Sequence, residues 1–421
     1  MKCLVIEGNH KLKGKIEVSG AKNSAVALIP ASILADDIVT IDNVPNISDI
    51  DSLTEILEYL GAKVTRQNNT MQIDPRGITN KEIPKEISSK LRASYYFMSA
   101  LFGKYKSAHM YFPGGCSIGA RPIDQTLKAF ECLGATIKEL DNKFDIEAEE
   151  LKGNKIYLDC PSVGATINAI LASVLANGIT ELDNAAKEPE IVNVATFLNT
   201  MGANIKGAGT SHIKIIGKER LNGCYHEVIP DRIEAGTYII AGALLGEPLT
   251  ITGIIPEHVE SLLTKLKEAG VPLEIGEDYV KVEHTDNMKP LSIKTLGYPG
   301  FPTDLQQPLT VLLTQIDGKS TLRETIYENR FQNVRYLNEM GANIQIVEPQ
   351  KIEVKGKTPL SGAFVEATDL RAGACMILAG LCADGITTIS KIEHVLRGYE
   401  NITGKLNNVG AKIEVKEIEL K

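Results

Sequence analysis

The stretch "PGGCSIGARPID", residues 113–124, places one thiol, Cys116, among three glycines, with Arg121 and Asp124 close behind. A cysteine there would pack against nothing and oxidise easily, which raises the question of a chemical role. A second set of polar residues recurs along the chain. The segments "SGAKNSA", "SSKLRAS", "CPSVGAT", "IPDRIEAGT", "FPTDLQQ" and "ATDLRAG" carry Lys22, Arg92, Ser162, Arg232, Asp304 and Arg371, spaced 67 to 72 residues apart. Each stands just before a strongly apolar helical run. The first turn of a buried helix is an unfavourable place for Lys or Arg, so something must compensate. Backbone N–H groups at helix starts bind anions, and adjacent cations strengthen such a site. Six such junctions gathered at an inter-domain cleft would form an anion site. The competing reading leaves Lys22, Arg92 and Arg232 solvated or paired with Asp231 and Glu234. For "PDRIEAGT" it is preferred, because Asp231, Arg232 and Glu234 can satisfy one another.

The elements that position these residues follow from a repeat. "EYLGAKV", "ECLGATI", "NTMGANI", "KEAGVPL", "NEMGANI" and "NNVGAKI" place a glycine at 61, 134, 202, 270, 341 and 410, every 68 to 73 residues. Helix-period apolar residues precede each glycine and an alternating strand follows, so each glycine ends an amphipathic helix. Upstream of each lies a second helix, such as "SAVALIPASILA" or "RAGACMILAGLCADG", apolar nearly all round and therefore buried on every side. One repeat is thus strand, buried helix, strand, amphipathic helix, strand. Six repeats could form one closed ring or two groups of three; length favours two, giving an α/β protein, a two-domain inside-out barrel with buried helices inside and sheets outside, three repeats per domain. At 421 residues the chain exceeds the usual size of one core. The midpoint falls at "HEVIPDRIEAG". The expected division is 22–229 for an N-terminal domain carrying the Cys116 loop, and 1–21 with 230–421 for a C-terminal domain. The final strand should pair near the first.

Composition narrows the function. Net charge is −8 and Trp is absent, with no basic, aromatic stripe, which argues against nucleic acid as a partner. Any anionic ligand must meet locally placed cations. No apolar run approaches the roughly 18 to 20 residues that span a bilayer, and the N-terminal run is broken by Glu7 and Lys11, so neither membrane insertion nor a signal peptide is expected. The seven cysteines are scattered and never form CxxC, which points to reduced thiols in a cytoplasmic protein and no zinc site. Cys132, Cys375 and Cys382 fall on apolar helices and read as small core residues.

"SGAKNSA", "PGGCSIGARPID", "PSVGAT", "FPTDLQ", "ENRF", "ATDLRA" and "RGYE", in collinear order over essentially the whole chain, resemble the UDP-N-acetylglucosamine 1-carboxyvinyltransferase family. The resemblance implies transfer of the enolpyruvyl group of phosphoenolpyruvate to the 3′-hydroxyl of UDP-N-acetylglucosamine, with release of phosphate and no cofactor. This is the first committed step of peptidoglycan precursor synthesis. It implies that Cys116 is the general acid at C3, able to form a covalent adduct with phosphoenolpyruvate and to be alkylated by fosfomycin. Lys22, Arg121 and Arg397 match positions holding the donor's phosphate and carboxylate, with Asn23 at the reacting centre and Arg371 nearby. Asp304 matches the carboxylate beside the attacking hydroxyl, although "PTDLQQ" also allows a helix N-cap. Asp369 matches a second carboxylate for the later proton transfer. Nucleotide-sugar contacts carry over to Arg92, to Arg121, Pro122, Ile123, Asp124 and Gln125, to Ser162, Val163 and Gly164, and to Ile326. Glu328, Asn329 and Arg330 match a structural, closing element. Cys160 departs from members with lysine at that place, so one diphosphate cation is expected to be missing or supplied elsewhere. The 5-enolpyruvylshikimate-3-phosphate synthases share the donor but lack the loop thiol. A non-catalytic UDP-sugar-binding paralogue would be expected to have lost Cys116, Lys22, Asp304 or Arg397, and all four are present.

Overall fold

In the computed structural model, residues 1–90, 92–111, 123–141 and 143–418 are described. They divide into two compact units: a C-terminal unit made of Met1–Ser19 and Pro230 onward, and an N-terminal unit drawn from residues between Gly20 and Ile229.

Each unit is built on three helices whose side chains are apolar on all sides. In the N-terminal unit these are Lys22–Ala31, Tyr95–Tyr105 and Val163–Ser173; in the C-terminal unit, Arg232–Leu245, Gln306–Thr314 and Leu370–Cys382. Every residue from Ile233 to Leu245 is buried. Each fully buried Leu, Ile or Phe contributes roughly 1.5–3 kcal/mol relative to exposure, which fixes these helices at the centre of their units. The amphipathic helices show the complementary pattern. In Ser48–Leu60, Ile50, Leu53, Ile56, Leu57 and Leu60 form one buried stripe.

Sheets enclose the helices. The described residues form five four-stranded sheets and one three-stranded sheet, one per repeat. The recurring unit is strand, buried helix, strand, outer helix, then a hairpin of two strands. The sequence reading had one strand after the outer helix. The additional strand arises because alternation continues past a turn, as at Lys63–Gln67 and Thr70–Asp74, where Asn68 adopts a positive φ. In the three-stranded sheet only an isolated parallel bridge, Ile83 to Met110, stands in the fourth place.

The repeat glycines 61, 134, 202, 270, 341 and 410 all have positive φ, which explains their recurrence at the ends of the outer helices. The first strand, Lys2–Glu7, lies between Ile386–Ser390 and Lys412–Glu417, with Leu4 opposite both Ile389 and Val415. The chain's last sheet is therefore completed by its first residues. The strand partners of the two segments next to the expected crossings were not legible in sequence. Leu12–Glu17 precedes the first buried helix but pairs in parallel with Gly246–Thr252 of the fourth repeat. Conversely, Tyr225–Glu227 precedes the fourth buried helix but pairs with Val39–Asp42 of the first. No helix among the described residues is long and apolar enough to cross a membrane.

Candidate active site

In the C-terminal unit a carboxylate is gripped from both sides. Asp304 lies in the short turn Thr303–Leu305 that leads into the fifth buried helix. Arg330 Nη2 donates to its Oδ1 at 2.8 Å, and Arg371 Nη2 to its Oδ2 at 3.1 Å. Both guanidinium side chains are nearly inaccessible, at 2% and 5% exposure, whereas Asp304 keeps 25%. Burial opposes the charge on each arginine, but Asp304 outweighs it and both remain firmly protonated. The N-cap alternative for Asp304 is corrected. Neither the turn nor the following helix carries a side-chain cap, because the two arginines orient the carboxylate instead.

Arg371 is itself held. Its Nη1 donates to Tyr399 Oη at 3.2 Å, and that hydroxyl lies 2.9 Å from Thr237 Oγ1 inside the core. Its guanidinium also stacks 5.5 Å from the centre of the Tyr399 ring. Asp369 caps the sixth buried helix: Oδ1 accepts from Arg371 N at 2.8 Å and Ala372 N at 3.0 Å. Its Oδ2 is buried and has no hydrogen-bond partner among the described residues. One oxygen caps the helix and the other is left without a hydrogen bond among the described residues. Arg397 follows the short helix Glu393–Leu396 and is half-buried, two residues before Tyr399. Ile326 is exposed in the segment after the strand Gly318–Arg323.

In the N-terminal unit Lys22 opens the first buried helix beside Asn23. Its Nζ is 2.9 Å from Oδ2 of Asp49, a buried residue in the first turn of the outer helix Ser48–Leu60. In the competing reading of a solvated or paired Lys22, Asp49 was not among the partners named. Glu234 accepts instead from Lys405 Nζ at 2.6 Å and Ser19 N at 3.0 Å. Burial, partly offset by Lys405, raises its carboxyl to about 7.

The expected nucleotide-sugar contacts divide. Ser162 Oγ caps the third buried helix by accepting from Ala165 N, with Val163 and Gly164 in the first turn. A β-carbon on Gly164 would stand 2.0 Å from Tyr95 Oη, so a larger residue there would have to displace the end of that ring. Ile123 and Asp124 begin the helix Asp124–Cys132. Gln125 uses its amide internally: Nε2 donates to Asp159 Oδ2 and Asp124 Oδ2, and Oε1 accepts from Asp159 N. It braces the segment before Ser162. Cys116, Arg121 and Pro122 lie outside the described residues, as does the side chain of Arg92.

The expectation of open helix N-termini is also corrected in part. Asp231 accepts from Ile233 N and Glu234 N, and Asp369 and Ser162 cap two others, so three of the six starts are satisfied by their own chain. Of the cysteines taken for core residues, Cys375 is buried, while Cys132 and Cys382 are only partly so. Among the described residues no cluster of three or more His, Cys, Asp or Glu could hold a metal. Sequence reasoning gave Arg330 only a structural part and passed over Tyr399, Asp49 and Glu324. The first two stand in "ENRF" and "RGYE", segments already singled out, whereas nothing local marks Asp49 or Glu324.

Two units, each with three buried helices inside three sheets, place the chain among the six-repeat α/β enolpyruvyl transferase folds. The structure of the enolpyruvyl transferase NikO from Streptomyces tendae superposes with a TM-score of 0.89 at 28% identity, covering 98% of both chains. EPSP synthase from Acinetobacter baumannii shares the fold at a TM-score of 0.73 and 20% identity, over 99% of this chain and 100% of that one. The chain belongs to the EPSP synthase (3-phosphoshikimate 1-carboxyvinyltransferase) family, whose model matches residues 6–406. Among its relatives, UDP-N-acetylglucosamine 1-carboxyvinyltransferase 2 of Bacillus cereus is 53% identical, and that of Bacillus subtilis 51%, each over 98% of this chain and 96% of the relative. UDP-N-acetylglucosamine 1-carboxyvinyltransferase 1 of Streptococcus agalactiae is 52% identical over 99% of this chain and 100% of its own length.

Proposed function

We propose that this protein is an enzyme that transfers the enolpyruvyl group of phosphoenolpyruvate to the 3′-hydroxyl of UDP-N-acetylglucosamine and releases phosphate, in the cytoplasm, for peptidoglycan precursor synthesis. The observation carrying this reading is the Asp304 carboxylate fixed by Arg330 and Arg371, in a chain about half identical to such transferases over nearly its full length. In the addition step C3 of the enol gains a proton while the sugar oxygen bonds to C2 and gives up its own proton. In the elimination step C3 loses a proton, the C2–O bond to phosphate breaks, and the double bond returns. Cys116 supplies the first proton. Asp304 orients the 3′-hydroxyl and accepts its proton, an arrangement that needs a fixed carboxylate because general-base efficiency depends on geometry.

Asp369, through Oδ2, takes part in the later proton transfer. Lys22, Arg121, Arg371 and Arg397 balance the donor's phosphate and carboxylate, with Asn23 at the reacting centre. Arg92, Arg121 to Gln125, Ser162 to Gly164, and Ile326 receive the nucleotide sugar, with Gln125 acting by bracing. Residues of both units enter the reading, and no cofactor is required. The test is phosphate release from phosphoenolpyruvate by the purified chain. Release should require UDP-N-acetylglucosamine and should fall by orders of magnitude in Asp304→Asn. No release, or equal release with shikimate 3-phosphate, overturns it.

A further inference from the structure

Glu324 is almost wholly buried, at 1% exposure, directly after the strand Gly318–Arg323, yet no lysine or arginine neutralises it in any hydrogen bond or ion pair among the described residues. Its oxygens instead collect neutral donors from three places in the chain. Oε1 accepts from Thr295 Oγ1 at 2.8 Å, Ile326 N at 2.8 Å and Tyr327 N at 3.3 Å. Oε2 accepts from Thr303 Oγ1 at 2.8 Å. A buried carboxylate is costly unless it is well hydrogen-bonded, so this arrangement holds all three segments in one geometry.

The bond to Thr303 links Glu324 to the site. A hydroxyl has one proton; because Thr303 gives it to Glu324, its lone pairs must face elsewhere. One receives Arg330 Nη1 at 2.8 Å, and the same guanidinium reaches Asp304 Oδ1 through Nη2, also at 2.8 Å. Thr303 and Asp304 are adjacent, so the planar fork of Arg330 grips consecutive residues and sets the direction of the carboxylate. The main chain supports the fork, since the carbonyl of Arg330 accepts from both Gln306 and Gln307 at the start of the fifth buried helix.

We infer that Glu324, acting through the Thr303 hydroxyl and Arg330, is a positioning residue for Asp304. The inference rests on the proposed role of Asp304. In Glu324→Gln the amide oxygen is drawn to the three donors now at Oε1, which turns the amide –NH2 toward Thr303. Thr303 then faces two donors, and its own proton has no acceptor. The hydroxyl can still accept from Arg330, but nothing fixes its direction, so the fork is no longer held in one geometry, without any change to a group that would touch substrate.

The test uses the full chain with three variants, Glu324→Gln, Thr303→Val and Thr303→Ser, assayed by phosphate release with both substrates. Misplacement of a reacting group by a fraction of an ångström lowers turnover about tenfold. The expected result is therefore about tenfold lower kcat in Glu324→Gln and Thr303→Val, with both KM values within about twofold, and recovery in Thr303→Ser, which keeps the hydroxyl. Wild-type kcat in folded Thr303→Val, or no recovery in Thr303→Ser, overturns the inference. If the wild-type chain does not turn over at all, the functional reading fails, and the relay is decided by stability. In a double-mutant cycle of Glu324→Gln with Arg330→Lys, coupling of about tenfold in the unfolding equilibrium constant supports the relay, and additivity overturns it.

Discussion

Replacing Tyr399 by Phe isolates the support beneath Arg371. The ring is fully buried and would stay in place, so the substitution opens almost no cavity, and the stacking of the guanidinium on the ring survives. Only the hydroxyl is lost. Thr237 keeps an acceptor, because its Oγ1 also donates to Ile233 O at 2.8 Å. Arg371 Nη1 loses the acceptor at 3.2 Å inside the core. Hydrogen bonds to charged groups contribute about 1.5–3 kcal/mol, and this one is at the long end of the distance range, so the expected destabilisation is about 2 kcal/mol. For a unit of roughly 200 residues that corresponds to a fall in Tm of about 4–8 °C. Urea unfolding with linear extrapolation, read together with a thermal melt, measures it, and the m value should not change. Turnover should also fall, by about tenfold or less, because Nη2 of the same guanidinium orients Asp304. A loss below about 0.5 kcal/mol at unchanged m would show that Tyr399 merely fills space and would refute the reasoning.

The glycines at the ends of outer helices offer a comparison. A β-carbon at Gly202, φ +104°, would meet only Asn222 Nδ2 at 3.7 Å, whereas one at Gly61, φ +110°, would lie 2.4 Å from Gly77 O. Gly202→Ala should therefore cost about 1–2 kcal/mol of backbone strain, and Gly61→Ala clearly more; equal losses in urea unfolding would contradict this. Burial pushes the Cys375 thiol up to about 12 and that of Cys224 up to about 11, while Cys160 is exposed. Iodoacetamide at pH 8 should modify Cys160 well before either, and early mass gain on Cys375 in folded protein would contradict the burial argument. Glu234 has a folded pKa of about 7 against 4.5 for an ordinary glutamate, so its stabilising contribution is full below about pH 4.5 and is lost as pH rises through about 7. His226, depressed by burial from its ordinary value of 6.5, acts in the opposite direction below that value. The difference between wild type and Glu234→Gln, followed by thermal melts from pH 4.5 to 8, isolates the carboxyl and should change by on the order of 3 kcal/mol; a flat difference would be evidence against it.

Much of the fold was legible because it is periodic. A glycine forced into positive φ every seventy residues or so cannot be hidden by local substitution, and a helix apolar on all sides can only lie inside. The division at residues 21 and 229 was expected, but the partners of the strands Leu12–Glu17 and Tyr225–Glu227 were not legible, because a strand's alternation says which face is buried but not which neighbour it joins. The site shows the same division. Lys22, Asp304 and Arg371 are marked by their register at the start of buried helices. Their partners are not, since Asp49, Arg330 and Tyr399 reach them from separate elements and carry no shared spacing. Glu324 is the extreme case: an acidic residue in a polar stretch that reads as solvent-facing until the fold buries it.

The placement of cations at buried helix starts now has a physical account. In sequence they looked like uncompensated charges awaiting an anion. In the structure Lys22 meets Asp49 and Arg371 meets Asp304, so the compensation is built in. An incoming anion would not neutralise a bare positive pocket. It would have to compete with, or add to, carboxylates already in contact, and such pairs are strong when buried because desolvation makes either partner costly alone. Asp304 itself is met by two guanidinium groups, which hold the carboxylate ionised and aimed, while Asp369 and Asp231 also act on those arginines. A solvated carboxylate would be free to turn, whereas one held by two arginines has the fixed direction that the proposed acceptance of a hydroxyl proton would need.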